Sequence, residues 1–306
     1  MMPPPIEEII ADLANRDKPL LNSRLAELSN LQPQAQEFFN KIWPTIEAER
    51  RQEIISRLVE LAEDNFELDF DSIFKECLND PDAEIRSQAI EGLWENEEPS
   101  LIGHLINLLE NDKSEMVQAT AATALGKFVT LAQDKKLRSS HISNVYQVLL
   151  TAVRNQSKSD EVRRRVLEAA SPICLPEVAE SIMAAYRSAD HRLKVSAIYA
   201  MGKNCDPSWL NILVTELGSP DAEIRYEAAK ACGELGEEEA VPHLIKLAQE
   251  SDIDIQLAAV QALGQIGGTE AKNYLEDCLD DPNEPIQQAA EQALKEIEMG
   301  EEPFSF

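Results

Sequence analysis

Ile224, Ala228 and Cys232 stand four residues apart, as do Ile255, Ala259 and Leu263, and Ile286, Ala290 and Leu294. Apolar residues at positions 0, +4 and +8 form one stripe on a 3.6-residue helix. The phrase also starts at Leu193, Val162, Val117 and Ile85, so seven anchors divide the chain at steps of 32, 45, 31, 31, 31 and 31 residues. Four equal steps mark a tandem repeat. One repeat cannot bury its own apolar stripe, but stacked repeats can, which predicts a solenoid.

Each anchor lies three residues after a small polar residue: Asp82, Ser114, Ser159, Asp190, Asp221, Asp252 or Asn283. Such side chains accept the orphan N–H groups at a helix N-terminus. Pro81, Pro220 and Pro282 precede three of them and end the helix before. A second apolar helix precedes each cap, as at Trp209 to Leu217 and Val241 to Gln249. The unit therefore reads helix A, turn, helix B. In Leu263-Gly264-Gln265-Ile266-Gly267-Gly268 the glycines follow a helix and read as its C-cap, not as a phosphate loop.

The phrase from Asp221 to Gly233, D-x-x-[IV]-R-x-x-A-A-x-A-[LC]-G, and its echoes from Asp82, Ser114 and Asp252 resemble the HEAT-repeat family, in the short form named after phycobilisome lyases. The resemblance covers roughly residues 76–298. It implies an all-α, right-handed superhelical α-solenoid of about seven to eight stacked antiparallel helix pairs. It also implies a binding scaffold rather than a catalyst. Tetratricopeptide and ankyrin arrays have longer periods, and the ankyrin T-P-L-H phrase is absent.

Residues 1–48 do not match the repeat, and we expect them to form an N-terminal helical cap after a disordered start at 1–5. The array is expected over residues 49–300. It opens with a degenerate repeat in which Ile54, Leu58 and Ala62 lie one period before Ile85, Ala89 and Leu93. The long step from Val117 to Val162 places an insertion near residues 133–141, expected as a loop. Residues 301–306 read as a disordered tail.

Charge narrows the partners. The formal net charge is −28. That disfavours nucleic-acid phosphates and anionic membrane surfaces, which require Lys and Arg, and it favours basic, peptide-like protein partners. Against this trend, residues 127–165 carry nine Lys or Arg and three acids. This island reads either as solvated surface or as a dock for an anionic ligand or the acidic end of a second copy, so self-association is an open reading. Neither a signal peptide nor a transmembrane run is read, so the expected location is cytoplasmic. The five cysteines lack C-x-x-C spacing and read as buried free thiols.

No chemistry emerges from the polar residues. His104, His141, His191 and His243 form no i,i+4 pair and no H-E-x-x-H motif. Deoxyhypusine hydroxylase, a HEAT-like metalloenzyme, uses His-Glu pairs as iron ligands, and no His-Glu dipeptide occurs here. G-x-S-x-G is absent as well. We expect no catalytic residue, no cofactor and no metal. The alternative class is a lyase-type or chaperone-like subunit handling a bilin or another prosthetic group, since similar short repeats occur in bilin lyases.

On helix B the stripe 0, +4, +7, +8 and +11 faces the core, which leaves +2, +6 and +9 opposite. That side of HEAT-like arrays usually lines the concave surface. At its centre stand Val195, Tyr199, Tyr226 and Leu257, bordered by Lys230 and Gln261, a composition typical of an interface centre. These six are the candidate partner-binding residues. Position +9 is Gly126, Gly202, Gly233 or Gly264 in four repeats, either exposing backbone or permitting close packing. The polar +1 positions, Arg86 to Gln287, read as a ladder bridging neighbouring repeats.

Overall fold

The computed structural model describes residues 5–204 and 206–301. Among them are eighteen α-helices and no strand. Two compact units divide the chain, residues 1–148 and 149–306.

Unit 1 opens with α1 (Ile6–Leu13), α2 (Asn22–Ala26) and α3 (Pro33–Ile42). It continues with α4 (Ala48–Asp64), α5 (Asp71–Cys77), α6 (Ala83–Gly92), α7 (Ser100–Asn111) and α8 (Glu115–Gln133), and α9 (Ser139–Val153) runs past its end. Helices α4, α6 and α8 pack in sequence as one row; α1, α3 and α5 form another, and α7 packs on α8. Ile54 and Leu58 of α4, Ile85 and Ala89 of α6, and Val117, Ala121 and Leu125 of α8 are fully buried, as the stripe demands. The break expected near 133–141 is shorter than read: α8 ends at Gln133 and α9 begins at Ser139. Phe128, Val129 and Ala132 carry the buried stripe of α8 onward, so only residues 134–138 lie between α8 and α9.

Unit 2 repeats one pattern. Its B helices are α10 (Asp160–Ala170), α12 (His191–Lys203), α14 (Ala222–Leu235), α16 (Ile253–Ile266) and α18 (Glu284–Glu301). Each packs on the next. The A helices α11 (Pro176–Tyr186), α13 (Leu210–Glu216), α15 (Val241–Leu247) and α17 (Gly268–Cys278) each pack on the B helix that follows. This is an α-solenoid of stacked helix pairs. The tail expected to be disordered falls at its edge: Glu301 closes α18, and residues 302–306 lie outside the described residues, as do residues 1–4 of the start.

Aspartate caps form as the chemistry predicts. Asp82 accepts from the N–H of Glu84 and Ile85 (2.9 and 3.3 Å), and Asp221 does the same for Glu223 and Ile224 (3.0 and 3.3 Å). Asp252 caps α16 and Asp190 caps α12. Ser114 and Ser159 hold the extended cap backbone, but their hydroxyls make no capping bond. Gly267, at φ 71°, is the C-cap of α16, and its N–H donates to Leu263 O at 2.9 Å.

Two side-chain ladders lock the repeats. At +1, Arg86 grips both carboxylate oxygens of Asp112 (2.8 and 2.7 Å) and donates to Asp80 O at 2.7 Å. Arg225 likewise reaches Glu250 at 3.1 Å and Ser219 O at 2.8 Å. Gln287 keeps the carbonyl arm alone, donating to Asp281 O at 2.6 Å. At +9, Gly202, Gly233 and Gly264 are buried and permit close packing. A Cβ on Gly202 would stand 2.6 Å from Ala231 Cα, one on Gly233 2.8 Å from Ala262 Cα, and one on Gly264 2.9 Å from Ala293 Cα.

The cysteines depart from expectation at one described position. Cys77, Cys232 and Cys278 are buried and free, but Cys174 is exposed and disulfide-bonded. Cys205 lies outside the described residues.

Candidate protein-interaction surface

The six residues singled out by pattern lie on three consecutive B helices of unit 2. Val195 and Tyr199 are on α12, Tyr226 and Lys230 on α14, and Leu257 and Gln261 on α16. The helices are neighbours because the Gly202–Ala231 and Gly233–Ala262 contacts draw their backbones together. Tyr226, Lys230 and Gln261 are exposed; Val195, Tyr199 and Leu257 are half-buried where the B helices pack. The two tyrosine rings do not stack on each other. Tyr226 instead carries the Lys230 ammonium 5.4 Å from its ring centroid.

The surroundings are acidic. Burial raises the Tyr199 phenol above its ordinary range; Lys203 pulls it back, and the nearby charges of Glu168, Glu234 and Glu227 push it further up. Burial also raises the Glu227 carboxyl, against the pull of Lys230 at 3.7 Å and with the push of Glu168. Ser196 donates to Glu168 at 2.6 Å and accepts from Arg164 Nε at 3.0 Å, stitching α10 to α12 beside the tyrosine. The face thus offers an aromatic and aliphatic strip edged by carboxylates.

Lys127, Arg154, Arg163, Arg164 and Arg165 of the basic island have partners within the fold. Arg163 pairs with Asp160 (2.9 Å), Arg164 with Glu161 (2.7 Å) and Arg165 with Glu168 (3.0 Å). Arg154 faces Glu177 at 3.5 Å. Lys127 donates to three backbone carbonyls at the end of α6. Pairing at i,i+3 and i,i+4 holds the three consecutive arginines Arg163, Arg164 and Arg165 on α10. The four histidines do not converge: among the described residues no His, Cys, Asp and Glu cluster could hold a metal ion. His191 contacts Asp221 at 2.9 Å and Glu223 at 3.7 Å, beside the α14 cap.

Pattern reading missed a feature of unit 1. Trp94 follows α6 and is 57% exposed, next to a cavity of about 350 Å³. It occupies +9, where four other repeats carry glycine. That substitution was the available signal.

Stacked helix pairs, capped and laddered at a 31-residue period, define the class as an α-solenoid built on repeats. A family model described as HEAT repeats matches residues 71–140 and 210–295, just over half of the chain, and the chain belongs to the HEAT-repeat family. Comparison with curated proteins gave no match. Among solved structures, importin beta is 15% identical, with a TM-score of 0.50 over 90% of this chain and 44% of that one. An engineered protein is 21% identical, with a TM-score of 0.40 over 65% of this chain and 97% of that one. The complex of CpcE and CpcF of phycocyanin lyase from Nostoc sp. PCC7120 is 16% identical, with a TM-score of 0.48 over 74% of this chain and 94% of that one. At these identities the likeness is one of fold. No helix among the described residues is long and apolar enough to cross a membrane.

Proposed function

We propose that this chain is a non-catalytic scaffold or adaptor that binds a protein partner on the concave helix-B surface of unit 2, through Val195, Tyr199, Tyr226, Lys230, Leu257 and Gln261. The observation that carries this reading is the exposed Tyr226, with its ring under Lys230, on a helix whose outward neighbours are half-buried apolar residues and carboxylates. A basic or peptide-like segment suits that mixture, because tyrosine supplies contact area at low entropic cost and the acids supply counter-charge. Residues 1–48 serve in this reading as the cap that closes the array, and a cytoplasmic location goes with it.

The test is affinity capture from the native cell with the intact chain and with Tyr199→Ala/Tyr226→Ala. Helicity should be unchanged and capture of the bound protein lost. Equal capture by the variant discards this surface. The competing class, a subunit handling a bilin or similar group, would show as visible absorbance of the protein after co-expression with pigment synthesis.

A further inference from the structure

We propose that the cleft beside Trp94 in unit 1 is a second docking site, which takes an arginine or lysine side chain from a basic partner polypeptide. It shares no residue with the unit 2 surface and does not depend on that reading.

The tryptophan is held ready. Trp43 and Trp209 are 4% and 5% exposed, whereas Trp94 is 57% exposed. Its backbone is nevertheless fixed. Lys127 reaches across from α8 and donates to Leu93 O at 3.2 Å, Trp94 O at 2.7 Å and Asn96 O at 2.5 Å. That lysine caps the end of α6, so its donors are committed to backbone and not to a ligand. No cation and no second ring lies against Trp94 among the described residues. Its indole face is therefore open, and a cation over tryptophan gains about 0.5–2 kcal/mol, more as water is excluded.

The cavity identifies the occupant by charge. Ile90, Ala124 and the threonines Thr120 and Thr123 line its floor, and Glu63 and Glu91 border it. Lys127 also lines it, its ammonium held by the Leu93, Trp94 and Asn96 carbonyls, so that two carboxylates face one cation already engaged. Neither carboxylate has a hydrogen bond or ion pair among the described residues, whereas Glu95 and Glu97, which follow Trp94, act on the charge of Lys127. Burial raises the Glu91 carboxyl, and the charge of Glu63 raises it further, so the two acids oppose each other across the rim. A guanidinium or ammonium group would relieve that repulsion while its methylene stem covers the apolar floor. A neutral apolar segment would desolvate both carboxylates without compensation. A second copy of this chain would bring its own net charge of −28 against the same rim.

The experiment measures fluorescence anisotropy of a capped peptide of three Ala-Arg pairs carrying a neutral dye, titrated with the full chain. Its Ala-Gln counterpart is the control. Saturable binding of the arginine peptide is expected, weakened roughly tenfold both by Trp94→Ala and by Glu63→Gln/Glu91→Gln. The Gln pair retains Trp94, so its fold and its tryptophan emission can be checked directly. Affinity unchanged in either variant, equal binding of the Ala-Gln peptide, or Trp94-dependent self-association in sedimentation would overturn the proposal.

Discussion

The indole Nε1 of Trp43 donates a buried hydrogen bond to Asp80 Oδ2 at 2.8 Å, joining the end of α3 to the turn before α6. The same carboxylate accepts from Arg51 at 3.3 Å and from the Asp82 N–H at 2.9 Å. Trp43 in turn stacks on Phe39, with ring centroids 5.1 Å apart. One acid thus ties the first helices to the first regular cap. Asp80→Ala should destabilise unit 1 by about 3–5 kcal/mol, because Arg51 would be left buried and uncompensated. Asp80→Asn keeps an acceptor for the indole and should cost less. Urea denaturation followed by tryptophan fluorescence checks both, and an alanine variant as stable as the parent contradicts the account.

Two glycines should respond to alanine with opposite sign. Gly103, on exposed positions of α7, has open space around a new Cβ. Gly103→Ala should therefore stabilise by about 1 kcal/mol through helix propensity. At Gly202 the same methyl would stand 2.6 Å from the Ala231 backbone. Overpacking there costs about 1–3 kcal/mol, which outweighs the propensity gain. Paired thermal melts by circular dichroism would show one midpoint rising and the other falling.

Two carboxylates should give opposite pH dependence. Burial raises Asp112, but the Arg86 pairing and the Ser114 and Lys113 N–H groups outweigh it and hold the carboxyl below its ordinary range. Its contribution is present above the unfolded value of about 3.9 and is lost as pH falls through the folded value. Asp112→Asn should accordingly be less stable than the parent at neutral pH, with the gap closing in acid. Glu227 is raised, chiefly by burial. Its favourable contribution exists below the unfolded value of about 4.3 and disappears as pH rises through the folded one. Glu227→Gln should be the more stable protein at neutral pH and lose that advantage below about pH 4. Denaturation midpoints measured from about pH 3 to about pH 8, a span that covers both reference values, decide the signs.

The two proposed surfaces should separate in a crossed experiment. Tyr199→Ala/Tyr226→Ala should lose capture of the cellular partner and keep the arginine-peptide affinity. Trp94→Ala should do the reverse. Loss of both functions in either variant would mean that the surfaces are not independent.

Much of this architecture was written in the spacing. The residues at 0, +4 and +8 are buried except Leu294 in the last repeat, which is half-buried; the aspartate caps bond as their chemistry requires; and at +1 Arg86 and Arg225 bridge to the next repeat. These features follow from local rules repeated at a fixed period. Other features depend on contacts that a period does not encode. Composition counts the charges of 127–165 without their partners, so it did not show that Glu161 and Glu168 lie within one turn of Arg164 and Arg165. The broken period after Val117 placed an insertion near 133–141 but did not show how short the break would be: α8 runs to Gln133 and α9 starts at Ser139. Trp94 was passed over because the pattern assigned meaning to the glycines at its position and none to the three residues that replace them, Trp94, Ser171 and Lys295. The six residues on α12, α14 and α16 were legible as a shared face. Their exposure was not, since half-burial at Val195, Tyr199 and Leu257 depends on how closely the glycines let those helices approach.

Gly202, Gly233 and Gly264 offer the same socket, and Ala231, Ala262 and Ala293 enter it in the same way. Every joint in that run is consequently interchangeable. A whole module excised or duplicated there would bring together surfaces already shaped for each other, so the array can change length without inventing a new junction. What gives each module its individuality is confined to the outward positions, where Tyr226 or Gln261 can vary without disturbing the mesh beneath.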